Sequence, residues 1–176
     1  MLITPDLVAT ARAVESLQAT ISGVLFYAPK WYCLDNFSAF NVTHEQALYP
    51  TVEHAYQALK LIYTASGDRD EDVTLRARYA EMIRNANSAH EAKKLAYNKA
   101  IEPHVRTDWN EVKLCLVEQL LRAKYQRHEY VRKTLKRTKG LVIVEDSPID
   151  SFWGRGPDWQ GQNHLGQLWM KIRDEG

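Results

Sequence analysis

The sequence contains little cysteine, and its two cysteines do not form a paired motif. Cys33 and Cys115 lie far apart in a chain of 176 residues. A structural zinc site needs about four ligands at close spacing, and neither the cysteines nor the six histidines show it. We therefore expect reduced thiols, as in cytosolic proteins, and no bound metal. A single disulfide between the two cysteines is the alternative.

The sequence also lacks long hydrophobic runs and an excess of charge of one sign. No segment approaches the ~18 consecutive apolar residues that span a bilayer. The N-terminus has neither the basic start nor the apolar stretch of a signal peptide. The net charge is +1, so no overall field attracts nucleic acid or a membrane surface. These absences predict a cytoplasmic protein without a membrane partner.

Motifs that bind common cofactors or form nucleophile elbows are missing as well. The glycine-rich patterns of dinucleotide-binding and phosphate-binding loops do not occur,. The strand–turn–helix serine motif of many hydrolases does not occur either. We therefore expect no cofactor.

The length and composition of the chain suit one compact domain. Apolar residues make up 45% of the sequence, and a chain of this length buries a sizeable core without disulfides or metals. Helical spacing of apolar residues predicts seven helices, and two short apolar runs predict strands. The strands span 24–27 and 141–145, and the helices begin near positions 5, 51, 73, 88, 107, 127 and 163.

These elements predict a mainly α fold, a single helical domain with a minimal β-sheet in which the two strands pair. The segments 28–50 and 146–162 are expected to be irregular, because aromatic residues without a clear period fill the first, and glycine, proline and aspartate recur in the second,. We expect residues 1–22 to form an extra N-terminal helix and residues 23–176 to form the domain itself.

Helix starts and buried faces can also be predicted. Thr51 is expected to cap the second helix, which continues to about residue 65. Ser88 and Glu91 are expected to form a capping box. The residues expected to face the core are Ala55, Ala58, Leu59 and Ile62; Leu75, Tyr79 and Met82; Trp109, Val112, Leu116, Leu120 and Ala123; Val131 and Leu135; and Leu165, Leu168, Trp169 and Ile172.

The most informative polar pattern lies in the second helix. Glu53 and Lys60 are seven residues apart, which is two helical turns, so they share one face with Gln57 between them,. Such a face can line a cleft and carry chemistry. Glutamate and lysine are also the commonest surface residues, and helix geometry alone favours a solvated face.

Three further segments carry weaker signals. Trp153 and Trp159 lie among glycines, where their rings could stack on a flat base or fold the loop onto itself. Asp150, just before them, could bind ribose hydroxyls or steer a water. The segment Leu34–Ser38 is a polar turn that an Asx turn would explain. The basic run 132–139 could contact phosphates, although the pattern is more typical of a solvated helix face.

Taken together, the motifs resemble those of the YbiA-like, or NADAR, family of N-glycosidases. Order and spacing agree from about residue 24 to the end. The family's first motif usually reads Leu-Ser-Asn-Phe, and this chain has Asp35 at the serine position. The matching segments are Phe26-Tyr27, Leu34–Phe40, Pro50–Lys60, Trp109, Leu121–Tyr125, Asp150–Gly154 and Gly161–Met170.

The resemblance implies a YbiA-like helical fold and hydrolysis of a ribose–nitrogen bond. Family members are described as acting on ribosylamino-pyrimidine phosphates of early riboflavin synthesis, as metabolite damage control, or on ADP-ribose attached to guanine. The implied catalytic residues are Glu53, Lys60 and Asp150. The implied substrate-binding residues are Asn36, Phe37, Gln57, Trp109, Trp153, Gly154 and Asn163.

Cleavage of a ribose–nitrogen bond passes through an oxocarbenium-like transition state and needs an activated water, and these needs suggest roles for several of the residues. Glu53, in the first turn of its helix, should stay ionised and act as a base or cation stabiliser. Asp150 would hold the ribose or share the water, and Trp153 would stack on the base. Lys60 would either pair with phosphate or form a Schiff base with a ring-opened sugar; the sequence leaves both open.

Two other classes of function remain as alternatives. One is a non-catalytic module that binds ADP-ribose or NAD without cleaving it. The other is a helical adaptor or nucleic-acid-binding protein that uses the basic face at 132–139. As partner we expect a small nucleotide-like substrate, with ADP-ribosylated nucleic acid as the second candidate.

Overall fold

A computed structural model describes residues 23–26, 29–63 and 68–176. The described chain forms two compact units, one of which contains Asn36–Arg127 while the other contains the residues before Asn36 and those from His128 to Gly176. Six α-helices dominate the described chain, so the predicted mainly α fold is confirmed. The expected N-terminal helix over 1–22 lies outside the described residues.

The helices and strands are short and are joined by turns. The strands are β1 (Gly23–Leu25), β2 (Val42–His44), β3 (Ala47–Tyr49) and β4 (Val142–Val144). The helices are α1 (Val52–Ala58), α2 (Asp70–Arg84), α3 (Ala89–Ala96), α4 (Trp109–Arg127), α5 (Glu129–Lys136) and α6 (His164–Glu175), with 3-10 helices at Pro29–Leu34 and Glu102–His104.

The pairing of β1 with β4 forms the centre of the unit that contains the chain's C-terminus. The two strands run parallel with Val24 opposite Ile143, as the two apolar runs predicted, and both side chains are buried. Helix α6 packs on β4. The indole Nε1 of Trp169 donates a 2.8 Å hydrogen bond to the carbonyl of Leu34, which ties α6 to the first 3-10 helix.

Helix faces in this unit largely match the expectation. Val131 and Leu135 on α5 are fully buried, as are Leu165, Trp169 and Ile172 on α6, whereas Leu168 is half-buried. The segment 146–162 contains no helix or strand, which confirms it as a loop.

Helix α1 lies at the centre of the other unit, where it contacts α2, α3 and α4. Thr51 caps it by accepting a hydrogen bond from the His54 N–H at 3.2 Å, as predicted. The helix ends at Ala58, so the expected continuation to about residue 65 is wrong. The N–H of Leu61 donates to the Ala58 carbonyl, a tight turn that leaves Ile62 42% exposed instead of facing the core.

Helix α2 occupies the expected region but buries a different face. Arg76, Ala80 and Ile83 are buried, while the expected core residue Met82 is 51% exposed. Both faces have helical spacing, and the sequence pattern favoured the more apolar one. Burial of Arg76 is possible because its guanidinium pairs with Asp68, with Nη1 to Oδ1 at 3.1 Å,.

Helix α4 shows the same kind of shift. Leu120 is buried as expected, but the remaining expected core residues are only half-buried. The buried face contains Lys124, which the apolar pattern could not indicate. The half-buried residues are Trp109, Val112, Leu116 and Ala123.

The segment 28–50 is more regular than expected, because it contains a β-hairpin. Strands β2 and β3 pair antiparallel with Val42 opposite Tyr49. Glu45 and Gln46 form the turn, with φ values of 44° and 67°. A two-residue hairpin turn needs such positive φ values, and glycine or asparagine usually occupies these positions. The absence of such residues explains why the hairpin was not predicted.

Three other features concern caps, thiols and membranes. Ser88 accepts a hydrogen bond from the Glu91 N–H, as the capping box predicts, and the Glu91 carboxylate reaches the Asn87 N–H. Cys33 is buried and Cys115 is exposed, and no disulfide joins them. Among the described helices, none combines the length and apolar character needed to cross a bilayer.

Replacing Gly166 by alanine tests the contact between α6 and β4. A Cβ at this position would overlap the carbonyl oxygen of Ile143, so the backbones must separate. We expect Gly166→Ala to lower the free energy of unfolding by about 1–3 kcal/mol, although alanine favours helices over glycine. Urea unfolding measures this. Lys171→Ala on the exposed face of α6 is the control, and equal losses in both variants would contradict the close packing.

Candidate active site

The N-terminal turn of α1 is fixed by a buried histidine. His54 Nε2 lies 3.2 Å from the Ala86 carbonyl, so this nitrogen carries the proton. The other ring nitrogen, Nδ1, therefore accepts from the Thr51 hydroxyl at 2.8 Å. Burial lowers the pKa of His54, against an opposing effect of its hydrogen bond to Ala86, and this favours the neutral ring. On the other side, the Glu53 N–H donates to the Asn36 carbonyl at 3.0 Å.

This anchored turn places Glu53 and Gln57 in the protein interior. Glu53 is 5% exposed and Gln57 is 1% exposed, so the solvated-face interpretation is wrong. The Gln57 side-chain amide donates a 2.7 Å hydrogen bond to Glu53 Oε1. A buried carboxylate is costly unless polar groups satisfy it, and the amide of the next turn supplies one such bond.

Lys60 follows α1 in the tight turn, and its side chain lies among aromatic rings. The residue is 6% exposed, and Nζ is 4.6 Å from the ring centre of Tyr97, 5.2 Å from that of Tyr56 and 5.8 Å from that of Trp109. The Lys60 carbonyl accepts from the Arg106 N–H at 2.9 Å, which fixes the turn. The π-faces partly stabilise the ammonium.

Burial changes the acid–base behaviour of this amine. It lowers the pKa of Lys60 from 10.5 to about 8. The carboxylate of Glu53 raises this pKa, whereas Lys93 and Lys113 lower it further. At pH 7 roughly one-tenth of the amine is therefore unprotonated, far more than for an ordinary lysine, and this is the form that attacks carbon.

The loop that contains Asn36 and Phe37 borders the same group of residues. Phe37 packs edge-on against His90 at 4.8 Å, and the Lys93 ammonium is 5.6 Å from its ring. Within the described chain, the buried oxygen Asn36 Oδ1 accepts no hydrogen bond, so Asn36 makes no Asx turn. The fully buried Lys124 donates a 2.6 Å hydrogen bond to Ser38 Oγ. This bond attaches the loop to α4.

The other unit contains the remaining predicted residues, and Asp150 organises their loop. Its Oδ1 accepts hydrogen bonds from the N–H groups of Phe152 at 2.9 Å and Trp153 at 2.8 Å. Its own N–H donates to Ser147 Oγ. The half-buried ring of Trp153 lies edge-on to Phe152 with 4.9 Å between ring centres. One oxygen of Asp150 is therefore committed to the backbone of its own loop.

Gly154 and Asn163 also have clear structural contacts in this loop. A Cβ on Gly154 would lie 2.8 Å from the Glu145 carbonyl oxygen, so the close approach requires glycine. Asn163 Oδ1 accepts from the Glu145 N–H and its Nδ2 donates to the Ile143 carbonyl, both at 2.9 Å. These contacts join the loop to β4, and contact of either residue with substrate stays a prediction.

The ten predicted site residues thus fall into two groups. Asn36, Phe37, Glu53, Gln57, Lys60 and Trp109 belong to the unit Asn36–Arg127, where Glu53, Gln57, Lys60 and Trp109 interact directly or through charge. Asp150, Trp153, Gly154 and Asn163 belong to the other unit.

Two aromatic residues beside Lys60 were missed. Tyr56 precedes Lys60 by four residues, a spacing that could have indicated contact. Tyr97 lies 37 positions away and has no motif to identify it. Among residues 23–26, 29–63 and 68–176, no three His, Cys, Asp or Glu side chains are grouped so that they could hold a metal ion.

Lys60→Met should change the pH dependence of stability. Between about pH 8 and 10.5 the unfolded chain retains a Lys60 proton that the folded protein has released. The free energy of unfolding of the wild type should therefore rise relative to that of Lys60→Met over this range, by roughly 3 kcal/mol in total. Urea unfolding from pH 7 to 10 measures the difference. Exposed Lys94→Met controls for the lost charge, and parallel wild-type and Lys60→Met curves would refute the effect.

Comparison with known proteins identifies the family. The family model of the NADAR domain matches residues 25–175. N-glycosidase Npun_R5314 of Nostoc punctiforme is 34% identical over 143 residues, which cover 81% of this chain and 84% of that protein. N-glycosidase YbiA of Escherichia coli K12 is 29% identical over 164 residues, 93% of each chain.

A solved structure and a plant protein extend the comparison. The NMR structure of E. coli YbiA matches with a TM-score of 0.72 at 27% identity, covering 90% of this chain and 88% of that one. The chloroplastic riboflavin biosynthesis protein PYRR of Zea mays is 34% identical over 129 residues, 72% of this chain but 20% of that protein. The expected N-glycosidase class is thus confirmed at the level of the family, since curated relatives carry that name. This chain belongs to the NADAR family.

Proposed function

We propose that this protein is an N-glycosidase that hydrolyses the bond between ribose and the nitrogen of a nucleotide-like substrate. The observation that carries the proposal is the buried Glu53–Gln57 pair beside an amine, Lys60, whose pKa is about 8. A carboxylate can stabilise positive charge on the ribose carbon and activate water, and a partly neutral amine can attack that carbon. The names of the curated relatives support the same class.

The proposed substrates are the two that the resemblance implies. One is ADP-ribose attached to guanine, whose cleavage would reverse ADP-ribosylation. The other is a ribosylamino-pyrimidine phosphate of riboflavin synthesis, whose cleavage would remove a reactive intermediate in the cytoplasm. The relative from Zea mays is named for riboflavin biosynthesis, which supports the second.

Glu53 is proposed as the base that activates water. As the C1–N bond lengthens, positive charge develops on the ribose carbon, and the carboxylate stabilises this charge. The hydrogen bond from Gln57 to Oε1 orients the carboxyl group. Its position in the first turn of α1 favours the carboxylate, because the helix dipole stabilises an anion there,.

Lys60 is proposed as a nucleophile, because its low pKa suits attack better than phosphate pairing. The Lys60 amine attacks C1 as the C1–N bond breaks, and the base leaves with the electron pair of that bond and a proton that the amine gives up. The ring oxygen then leaves C1 and takes the second amine proton, which leaves an imine between C1 and Nζ. Water adds to C1 and loses a proton to Glu53, which passes it to the amine as the bond between C1 and Nζ breaks and the free sugar is released. The sum is hydrolysis.

Other residues are proposed to bind and orient the substrate. Asn36 Oδ1 and Gln57 Oε1 are buried oxygens that accept no hydrogen bond within the described chain, and ribose hydroxyls are suitable donors to them. Phe37 and Trp109 supply apolar surface. Stacking by Trp153 and ribose binding by Asp150 stay predictions. Gly154 and Asn163 would act by shaping the loop that carries those two.

The alternatives are a binding module without catalysis and a nucleic-acid-binding adaptor. A module needs no amine with a lowered pKa, and burying such a group costs stability that binding alone would not explain. On the basic face, Lys133 forms an ion pair with Glu129 at 2.7 Å. This pairing is typical of a solvated helix surface.

Glu53→Gln is expected to fold normally but to lose most activity, by about 10²–10⁴-fold, because the amide cannot accept the proton of water. Mass spectrometry of free base and sugar, released from ADP-ribosyl-guanosine and from ribosylamino-pyrimidine phosphates, measures this. Glu111→Gln, on an exposed position of α4, is the matched control. Full turnover by Glu53→Gln would remove Glu53 from the mechanism. No release by the wild type, with ADP-ribose still bound, would favour the binding module.

The Schiff base can be trapped. Borohydride added during turnover should reduce the imine and leave a sugar-derived mass on the peptide that contains Lys60, because reduction makes the bond between Nζ and C1 permanent. Lys60→Met should give no adduct, while Lys94→Met should give the wild-type yield. An active wild type that forms no adduct at Lys60 would assign the residue to phosphate pairing instead.

A further inference from the structure

Tyr97 combines exposure with proximity to the candidate nucleophile. The residue is 60% exposed, yet its ring centre lies 4.6 Å from Lys60 Nζ. It follows α3 as the C-cap residue, and its N–H donates to the Lys93 carbonyl at 3.2 Å. The end of the helix therefore fixes the backbone that carries the ring.

The other two rings beside Lys60 are arranged differently. Tyr56 and Trp109 are half-buried and pack edge-on against each other, with ring centres 5.0 Å apart. Because Tyr56 lies on α1 and Trp109 lies on α4, this contact is part of the packing between the two helices. Tyr97 is the exposed member of the three, and a large exposed aromatic ring beside a reactive amine is suited to contact a ligand.

We propose that Tyr97 is a specificity-determining residue whose ring stacks on the flat heteroaromatic base that leaves C1. This inference rests on the proposed function. A carbon attacked by Lys60 must lie about 3–3.5 Å from Nζ, and the base is bonded directly to that carbon. The ring centre of Tyr97 lies 4.6 Å from the same Nζ. The ring is therefore close enough to stack on that base, since stacked rings have their centres about 4.5–7 Å apart. The protein should accordingly prefer substrates with an aromatic base.

Binding experiments test this without turnover. Titration calorimetry compares guanosine 5′-monophosphate, which has a flat base, with ribose 5-phosphate, which has none. Tyr97→Leu should weaken binding of the nucleotide roughly five- to a hundredfold and leave binding of the sugar phosphate unchanged. Tyr97→Phe should keep the wild-type values, because stacking needs no hydroxyl. Tyr130→Leu, at a similarly exposed tyrosine, is the control.

The outcomes separate the two proposals. Equal nucleotide affinity in wild type and Tyr97→Leu, or a wild type that binds both ligands alike, would overturn the role of Tyr97. The same holds if Trp153→Leu, and not Tyr97→Leu, weakens nucleotide binding. Tyr97-dependent binding in a protein that hydrolyses neither proposed substrate would instead overturn the proposed function and leave only the stacking of Tyr97 on a bound base.

Discussion

The burial of the Lys60 amine is the constraint on which the candidate active site depends. An ammonium removed from water is unstable unless neighbouring groups compensate, and here three ring faces and the charge of Glu53 do so only in part. The remaining cost appears as a lowered pKa. The end of α1 at Ala58 matters for this reason, since the following tight turn, fixed by Arg106, places the amine inside the unit.

The same burial allows the Lys60 amine both to carry a proton and to act as a nucleophile near neutral pH. In water, an amine with an ordinary lysine pKa is protonated at neutral pH and cannot attack carbon. In the protein, Glu53 keeps the charged form accessible while burial favours the neutral one, so the amine titrates near the pH at which proton transfers are efficient. The anchoring of α1 through His54 and Asn36 is thus part of the chemistry, because it sets the position of the carboxylate.

The parts of the fold that the sequence predicted are those decided by local interactions. A capping hydroxyl at Thr51 and the capping box at Ser88 act within one turn of helix, so their signals do not depend on the rest of the chain. Burial of Arg76 and Lys124 depends instead on partners distant in sequence or lacking a motif, so the apolar pattern indicated the wrong faces. The hairpin turn at 45–46 was missed because its positive φ values fall on residues other than glycine.

The candidate site shows the same division between local and distant causes. The spacing of Glu53 and Lys60 placed them together, but the surroundings of the Lys60 amine depend on the rings of Tyr97 and Trp109, 37 and 49 positions after the lysine. In the loop after β4, an aspartate such as Asp150 can bind a ligand or satisfy backbone N–H groups, and its sequence context is identical in both cases. Contacts in the folded chain commit one of its oxygens to the backbone. Substrate specificity is therefore better sought in exposed side chains beside the amine than in polar residues that already complete their own loop.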